Sequence, residues 1–263
     1  MRLPFAKYGM KELKLYGGIT GAVMVVALVL CVLYVRPLPL AFLLSLLSIA
    51  PFVWVLSFFR DPERLIPKGE RRIISPADGA VYDIGDFDEP EYIGEECTRI
   101  GIFMSVFDCH VNRVPCSGTV EKIVYKQGSF FSAYTRASEA SLKNESNFIG
   151  IGNAAGTGSK LAFKQIAGQV ARRIVCELNE GDEVRRGQRC GMIKFGSRVE
   201  LFIPKSSNVT LKVKLKDFVK AGKTVIGKLE TPSDRKPGPD APEGDGTTDN
   251  PSEDTGEAAD REE

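Results

Sequence analysis

Leu178-Asn179-Glu180-Gly181-Asp182-Glu183-Val184-Arg185-Arg186-Gly187-Gln188-Arg189-Cys190-Gly191-Met192-Ile193 is a polar turn region held between two short apolar ends. Gly181 and Gly187 supply its turn geometry, because a residue without Cβ enters left-handed backbone at little cost. Outward from it in both directions run short apolar-rich segments punctuated by Gly, Pro and Asp: Gly79 to Ile84, Thr98 to Val106, Gly118 to Tyr125, Phe148 to Ile151, Lys160 to Gln165, Arg173 to Leu178, Gly191 to Ile203, Val209 to Val213 and Thr224 to Leu229. Each is strand-sized and bounded by turn residues. Ala133 to Lys143 has room for a helical turn or two, and no long amphipathic helix follows residue 66. The pattern predicts a mainly β (α+β) domain over residues 60–230.

The Asn-Glu-Gly-Asp-x-Val-x-x-Gly-Gln stretch is typical of barrel-sandwich hybrid folds such as biotinyl and lipoyl carriers. A carrier would offer a lysine on a tight hairpin. Lys194 is the nearby candidate, and its neighbours do not form the usual Met-Lys-Met, so the stretch speaks for fold rather than chemistry.

Upstream the chain changes character. Gly17 to Val35 and Leu38 to Phe59 are two apolar runs separated by Arg36 and Pro37, each about 20 residues and long enough to span a bilayer. A second span directly after the first, with no Ala-x-Ala site, favours an anchor over a cleaved signal peptide. The expected form is an N-terminal transmembrane helical hairpin over residues 17–59, after a cytoplasmic segment 1–16. Arg2, Lys7, Lys11 and Lys14 precede the first span, and Arg60, Arg64, Lys68, Arg71 and Arg72 follow the second. By the positive-inside rule both ends, and the β domain, face the cytoplasm. The same bases can attract anionic lipid head groups.

Residues 231–263 hold eleven acids against three bases, a charge of −8 in a chain whose total is +1, which leaves +9 on residues 1 to 230. This tail lacks aromatic and β-branched aliphatic residues and is expected to be disordered. The six cysteines form no CxxC pair, which signals neither zinc nor a disulfide framework; Cys109 and Cys116 read as buried structural thiols. With one histidine, His110, in the chain, a histidine metal cluster is excluded. No P-loop, GxGxxG after a strand or GxSxG elbow supports nucleotide use or ordinary serine hydrolysis, and no nucleic-acid partner is expected.

The remaining chemical candidate is Lys194-Phe195-Gly196-Ser197-Arg198-Val199-Glu200. Gly196 leaves its carbonyl unhindered, and the Ser197 hydroxyl can attack it if the backbone is strained and the oxyanion stabilised. β-Elimination of the resulting ester, then hydrolysis, leaves a carboxyl terminus at Gly196 and a pyruvoyl group at residue 197.

Several segments carry the same meaning in order. Phe58-Phe59-Arg60-Asp61-Pro62-Glu63-Arg64 is followed by Ile74-Ser75-Pro76-Ala77-Asp78-Gly79, Phe107-Asp108-Cys109-His110-Val111-Asn112-Arg113-Val114-Pro115, Lys143-Asn144-Glu145, Gln165-Ile166-Ala167-Gly168-Gln169-Val170-Ala171-Arg172-Arg173-Ile174 and Gly191-Met192-Ile193-Lys194-Phe195-Gly196-Ser197. Together, over about residues 58 to 215, they resemble the short-form phosphatidylserine decarboxylase family. The resemblance implies self-cleavage between Gly196 and Ser197, with Asp78 orienting His110 and His110 taking the Ser197 proton. It implies a covalent pyruvate cofactor made from Ser197, a heterodimer of fragments 1–196 and 197–263, and a membrane phospholipid substrate; a homo-oligomer is compatible with it. Many relatives carry a second histidine three residues on, where this chain has Arg113, so either His110 serves both maturation and decarboxylation or Arg113 takes one role. Longer forms carry Thr where this chain has Arg198.

In the implied reaction the ketone condenses with the amine of a serine phospholipid and draws electrons as carbon dioxide leaves. His110 is the natural acid for the α-carbon. Arg113, Asn144, Glu145, Phe130 and Phe131 are candidates for substrate contact. Asp78 also reads as an ordinary turn residue, Asn144 and Glu145 as a solvated loop, and Phe130, Phe131 and Tyr134 as core. Two rival classes are a non-enzymatic membrane-anchored barrel-sandwich protein of the adaptor type, which would need a coiled-coil hairpin absent here, and a pyruvoyl enzyme acting on a soluble amino acid.

Overall fold

The computed structural model describes residues 4–34, 38–69, 71–89, 91–129, 142–168, 173–194 and 197–229. Phe130, Phe131, Tyr134, Gly196 and the acidic tail lie outside the described residues, as does nearly all of the helical turn expected from Ala133.

Two helices come first, α1 (Met10–Tyr34) and α2 (Leu38–Phe58), packed on each other as a hairpin. Both are long and apolar enough to cross a membrane, and most of their apolar surface faces outward, as at Val32, Leu33, Phe42 and Leu47. Their polar side chains turn inward on the helix: the Thr20 hydroxyl donates to Tyr16 O at 2.6 Å and the Ser45 hydroxyl to Ala41 O at 2.8 Å. Such back-bonding satisfies a hydroxyl within its own helix.

Fourteen strands follow among the described residues: β1 (Arg72–Ile74), β2 (Gly79–Glu89), β3 (Glu95–Met104), β4 (Val111–Arg113), β5 (Gly118–Lys126), β6 (Ser146–Gly152), β7 (Leu161–Ala167), β8 (Arg173–Cys176), β9 (Glu183–Val184), β10 (Arg189–Lys194), β11 (Ser197–Pro204), β12 (Thr210–Leu211), β13 (Phe218–Val219) and β14 (Val225–Lys228). Eight form one antiparallel sheet in the order β13-β2-β3-β11-β7-β6-β5-β9, and two three-stranded sheets, β4-β10-β8 and β1-β14-β12, complete the domain. The expected mainly β domain behind a helical hairpin is what the structure shows.

The turn region behaves as its residues dictate. Gly181 and Gly187 have φ of +89° and +80°. Asp182 Oδ2 accepts from Asn179 N at 2.8 Å, and Gln188 Oε1 from Arg185 N at 3.0 Å, closing the two turns. A Cβ on Gly187 would lie 2.4 Å from Ile66 Cδ1, so the second turn is also a close approach that only glycine permits.

One expectation is corrected. Gly191 to Ile203, read as a single strand, is two strands in two different sheets, because β10 pairs with β4 and β8 while β11 runs between β3 and β7. Apolar content is high throughout, and periodicity alone does not mark where a chain leaves one sheet for another. The residues between the two strands are Phe195 and Gly196.

Every residue of β11 is buried. Val199, Leu201 and Ile203 join the main core, while Phe202 belongs to an opposite cluster with Cys97 and Ala162. Burying each such side chain stabilises by about 1.5–3 kcal/mol. With a period of two, Ser197 shares the core-facing row with Val199. On the other face, Arg198 and Glu200 form a buried ion pair, and the Arg198 guanidinium lies 4.5 Å from the Tyr82 ring centroid.

The hairpin is built into the domain. Ala6 N donates to Phe59 O at 2.8 Å and Asp61 N to Pro4 O at 2.7 Å, so the segment before α1 zips onto the segment after α2. Tyr8, Leu13, Val55, Phe58 and Phe59 then pack on Cys109, Val111 and Met192 of the β4-β10 region.

Candidate active site

Ser197 opens β11 at the end of the large sheet, opposite Met104, the last residue of β3, and Ala167, the last of β7. Its side chain is fully enclosed, and its hydroxyl donates to the Met104 sulfur at 3.3 Å. A thioether is a weak acceptor, so the serine proton is only loosely held.

Behind that sulfur runs a chain of buried amides. Asn112 Nδ2 approaches Met104 Sδ at 3.8 Å, Gln165 Nε2 donates to Asn112 Oδ1 at 2.9 Å, and Asn147 Nδ2 donates to Gln165 Oε1 at 3.3 Å. Three buried amides in a row are tolerated only because each is hydrogen-bonded. The row fixes Met104 and hence the serine.

His110 lies one residue before β4, on the ladder that carries β10: Ile193 N donates to His110 O at 3.4 Å, four residues before Ser197. Its ring has no exposed surface and stacks on Phe58 with centroids 4.3 Å apart. Nδ1 is 3.0 Å from Asp108 O. A carbonyl only accepts, so Nδ1 carries the hydrogen and Nε2 the lone pair. Nε2 is buried with no partner among the described residues. Burial pushes the imidazole pKa down to about 4, helped by the Arg60 charge and opposed by the Asp108 carbonyl and the Asp78 carboxylate. The ring is therefore neutral at physiological pH, a base whose acceptor nitrogen is unspent among the described residues.

Asp78 is brought near His110 but not onto it. Its two oxygens take a bidentate ion pair from Arg64, at 2.5 Å and 2.7 Å, and Oδ1 also accepts from Ala221 N at 2.8 Å. Its effect on the imidazole is through charge, while the Asp108 carbonyl fixes the tautomer. Sequence reasoning missed Asp108 O, since a main-chain acceptor leaves no mark in residue type.

Asn144 and Glu145 are buried rather than solvated. Asn144 Nδ2 donates to Ala167 O at 2.6 Å, and Ala167 N donates to Glu145 O at 2.9 Å, so both brace the residue opposite Ser197. Arg113 points elsewhere. Its guanidinium donates to Gly187 O at 2.9 Å and Pro62 O at 3.1 Å, and Asp61 is 3.5 Å away. Lys194 is no hairpin lysine: it sits in β10 with Nζ 2.6 Å from Glu12 of α1. Burial raises the Cys109 thiol pKa and takes that of Cys116 to about 12, as expected of structural thiols.

An enclosed serine at the junction of two sheets, four residues after the Ile193 amide that bonds His110 O, suits acyl transfer from the preceding residue. The same observations fit a prosthetic group made from Ser197 itself, since the orphaned Nε2 would otherwise be a buried polar atom without purpose.

Comparison with known proteins agrees. The family model described as phosphatidylserine decarboxylase matches residues 52–227. A protein of Salinibacter ruber is 46% identical over 188 residues, covering 71% of this chain and 80% of its own. One from Desulfotalea psychrophila is 42% identical over 187 residues, 71% of this chain and 85% of its own. One from Geobacter metallireducens is 42% identical over 214 residues, 81% and 94%. Each of the three relatives bears the name phosphatidylserine decarboxylase proenzyme.

Proposed function

The chain belongs to the phosphatidylserine decarboxylase family, and from that premise we propose that it cuts itself between Gly196 and Ser197 and then converts phosphatidylserine to phosphatidylethanolamine. That membership leaves the non-enzymatic adaptor alternative without support. The observation that supports the reading is an enclosed Ser197 in a domain whose one histidine, His110, is buried and neutral, with Nε2 unpartnered among the described residues.

In maturation, His110 removes the Ser197 hydroxyl proton and Oγ attacks the Gly196 carbonyl carbon. The peptide C–N bond breaks, leaving an ester and a free amine on residue 197. Loss of the Cα proton then expels the Gly196 carboxylate, and water releases ammonia. Fragment 197–263 stays in place because β11 keeps eight ladder pairs with β3 and six with β7. Asp78 and Arg64 act as one buried ion pair that shapes the field at His110.

The ketone formed at residue 197 supplies an electron sink for the carbanion left as carbon dioxide departs. His110 holds the proton returned to the α-carbon, and Phe58 keeps bulk water off the ring. The hairpin holds the domain at the bilayer surface, on the cytoplasmic side by its flanking bases.

The test follows carbon dioxide released from carboxyl-labelled phosphatidylserine in mixed micelles. Release by the processed wild type, with none by Ser197→Ala, supports the function. Release by Ser197→Ala equal to wild type overturns it.

A further inference from the structure

Nothing in the machinery above holds an anion, yet a phospholipid substrate brings a phosphodiester. We propose that the basic cavity between the foot of α1 and the β8-β10 edge binds that phosphodiester, with Lys11 and Arg173 as its anchoring cations. The assignment rests on the lipid decarboxylase reading and adds where the head group sits.

The cavity has a volume of about 560 Å³ and is lined by Lys7, Lys11, Glu12, Arg173 and Lys194, with Tyr8 and Ile174 among its apolar walls. That size suits a small ligand. Lys7 is already ion-paired with Glu177, and Lys194 with Glu12. Lys11 and Arg173 have no ion-pair partner among the described residues. Four lining cations face one lining acid, Glu12, with Glu177 pairing Lys7 from outside the lining. The two cations without an ion pair, Lys11 and Arg173, come from different elements, α1 and β8, and Glu12 feels the Arg173 charge only at longer range.

Position completes the case. Arg173 and Lys194 are ladder partners, and Lys194 is three residues before Ser197. A phosphate held there lies at the β10 end that leads, three residues on, to the reacting residue. Leu15 and Ile19 of α1, both exposed, continue from the same helix foot, so acyl chains extend along the membrane helix. The cavity is anionic-ligand chemistry at one end and apolar surface at the other. A topology signal does not account for Arg173, which lies far from either span in sequence, whereas such signals act within about 15–20 residues of a span end.

The experiment uses the full-length, self-cleaved enzyme in mixed micelles of phosphatidylserine and nonionic detergent. The double variant Lys11→Ala/Arg173→Ala takes two charge-assisted hydrogen bonds away from a partly screened site, and is expected to raise KM roughly tenfold and lower kcat less than about threefold. Arg173→Lys is expected to recover much of the KM. Raising salt from about 50 to about 500 mM should weaken wild-type binding and leave the double variant nearly unchanged. Glycerophosphoserine should inhibit the wild type competitively at concentrations where inorganic phosphate does not; equal inhibition by inorganic phosphate overturns the lipid assignment in favour of a free-phosphate site. Yield of self-cleaved fragments reports folding of each variant, and Arg173→Gln replaces Arg173→Ala where that yield drops. An unchanged KM in a variant that still cleaves itself and releases carbon dioxide overturns the phosphodiester site alone. Failure of the wild type to release carbon dioxide overturns the decarboxylase reading instead.

Discussion

Acid is expected to reach the self-cleavage step far later than an ordinary histidine would allow. His110 is fully buried against Phe58, and its pKa is held at about 4 against an ordinary 6.5. A step that needs the neutral imidazole should run at full rate down to about pH 5 and reach half rate near pH 4. The gap also has a stability consequence. Between about pH 6.5 and about pH 4 the unfolded chain binds a proton that the folded chain refuses, so stability falls as pH is lowered through that window and is unaffected above it. The full loss is about 3 kcal/mol. The perturbation is Phe58→Ala, which opens the ring to water and should move the half-rate pH up toward 6.5. The assay is precursor made by pulse-labelled cell-free synthesis into nanodiscs, shifted to buffers from about pH 4 to about pH 8 and followed by fragment appearance on gels. A wild-type midpoint near 6.5, or a midpoint that Phe58→Ala leaves unmoved, refutes burial as the cause.

Three further outcomes follow from the same geometry. Asn112→Leu removes the amide between Gln165 and Met104 and strands the Gln165 donor, which should cost about 1–3 kcal/mol and slow fragment formation; chemical denaturation with a cleavage time course reads both. Asp78→Asn breaks the bidentate Arg64 pair, and an uncompensated buried guanidinium should cost about 3–5 kcal/mol, seen as a lower Tm together with slower cleavage. Gly187→Ala meets Ile66 and requires a left-handed backbone at φ +80°, so a loss of about 1–3 kcal/mol is expected, with cleavage preserved in the fraction that folds.

The domain type and the hairpin could be read from residues because their causes are local. Gly181 and Gly187 mark turns, alternating apolar runs mark strands, and two unbroken apolar stretches mark the helices. The short strands β1, β4, β9 and β13 escaped because a run of two or three residues has no period, whereas β12 was caught inside Val209 to Val213. Ser197 was visible as chemistry through the Gly196-Ser197 pair and the resemblance, but its surroundings were not. Asn112, Gln165 and Asn147 look like solvent-facing strand residues until the sheet shows them hydrogen-bonded in series. Phe58 reads as one more membrane residue, although it forms a wall of the His110 pocket. The Glu12–Lys194 pair joins positions too far apart in the chain for any local pattern to connect.

Intact-mass analysis of the purified full-length protein beside Ser197→Ala tests the central claim most directly. Expected from the wild type are one fragment ending at Gly196 and a second beginning at residue 197, lighter than its plain sequence by about one ammonia, roughly 17 mass units, with the variant whole. A wild type that stays whole while folded and membrane-inserted, or a second fragment that keeps an ordinary serine terminus, would contradict it.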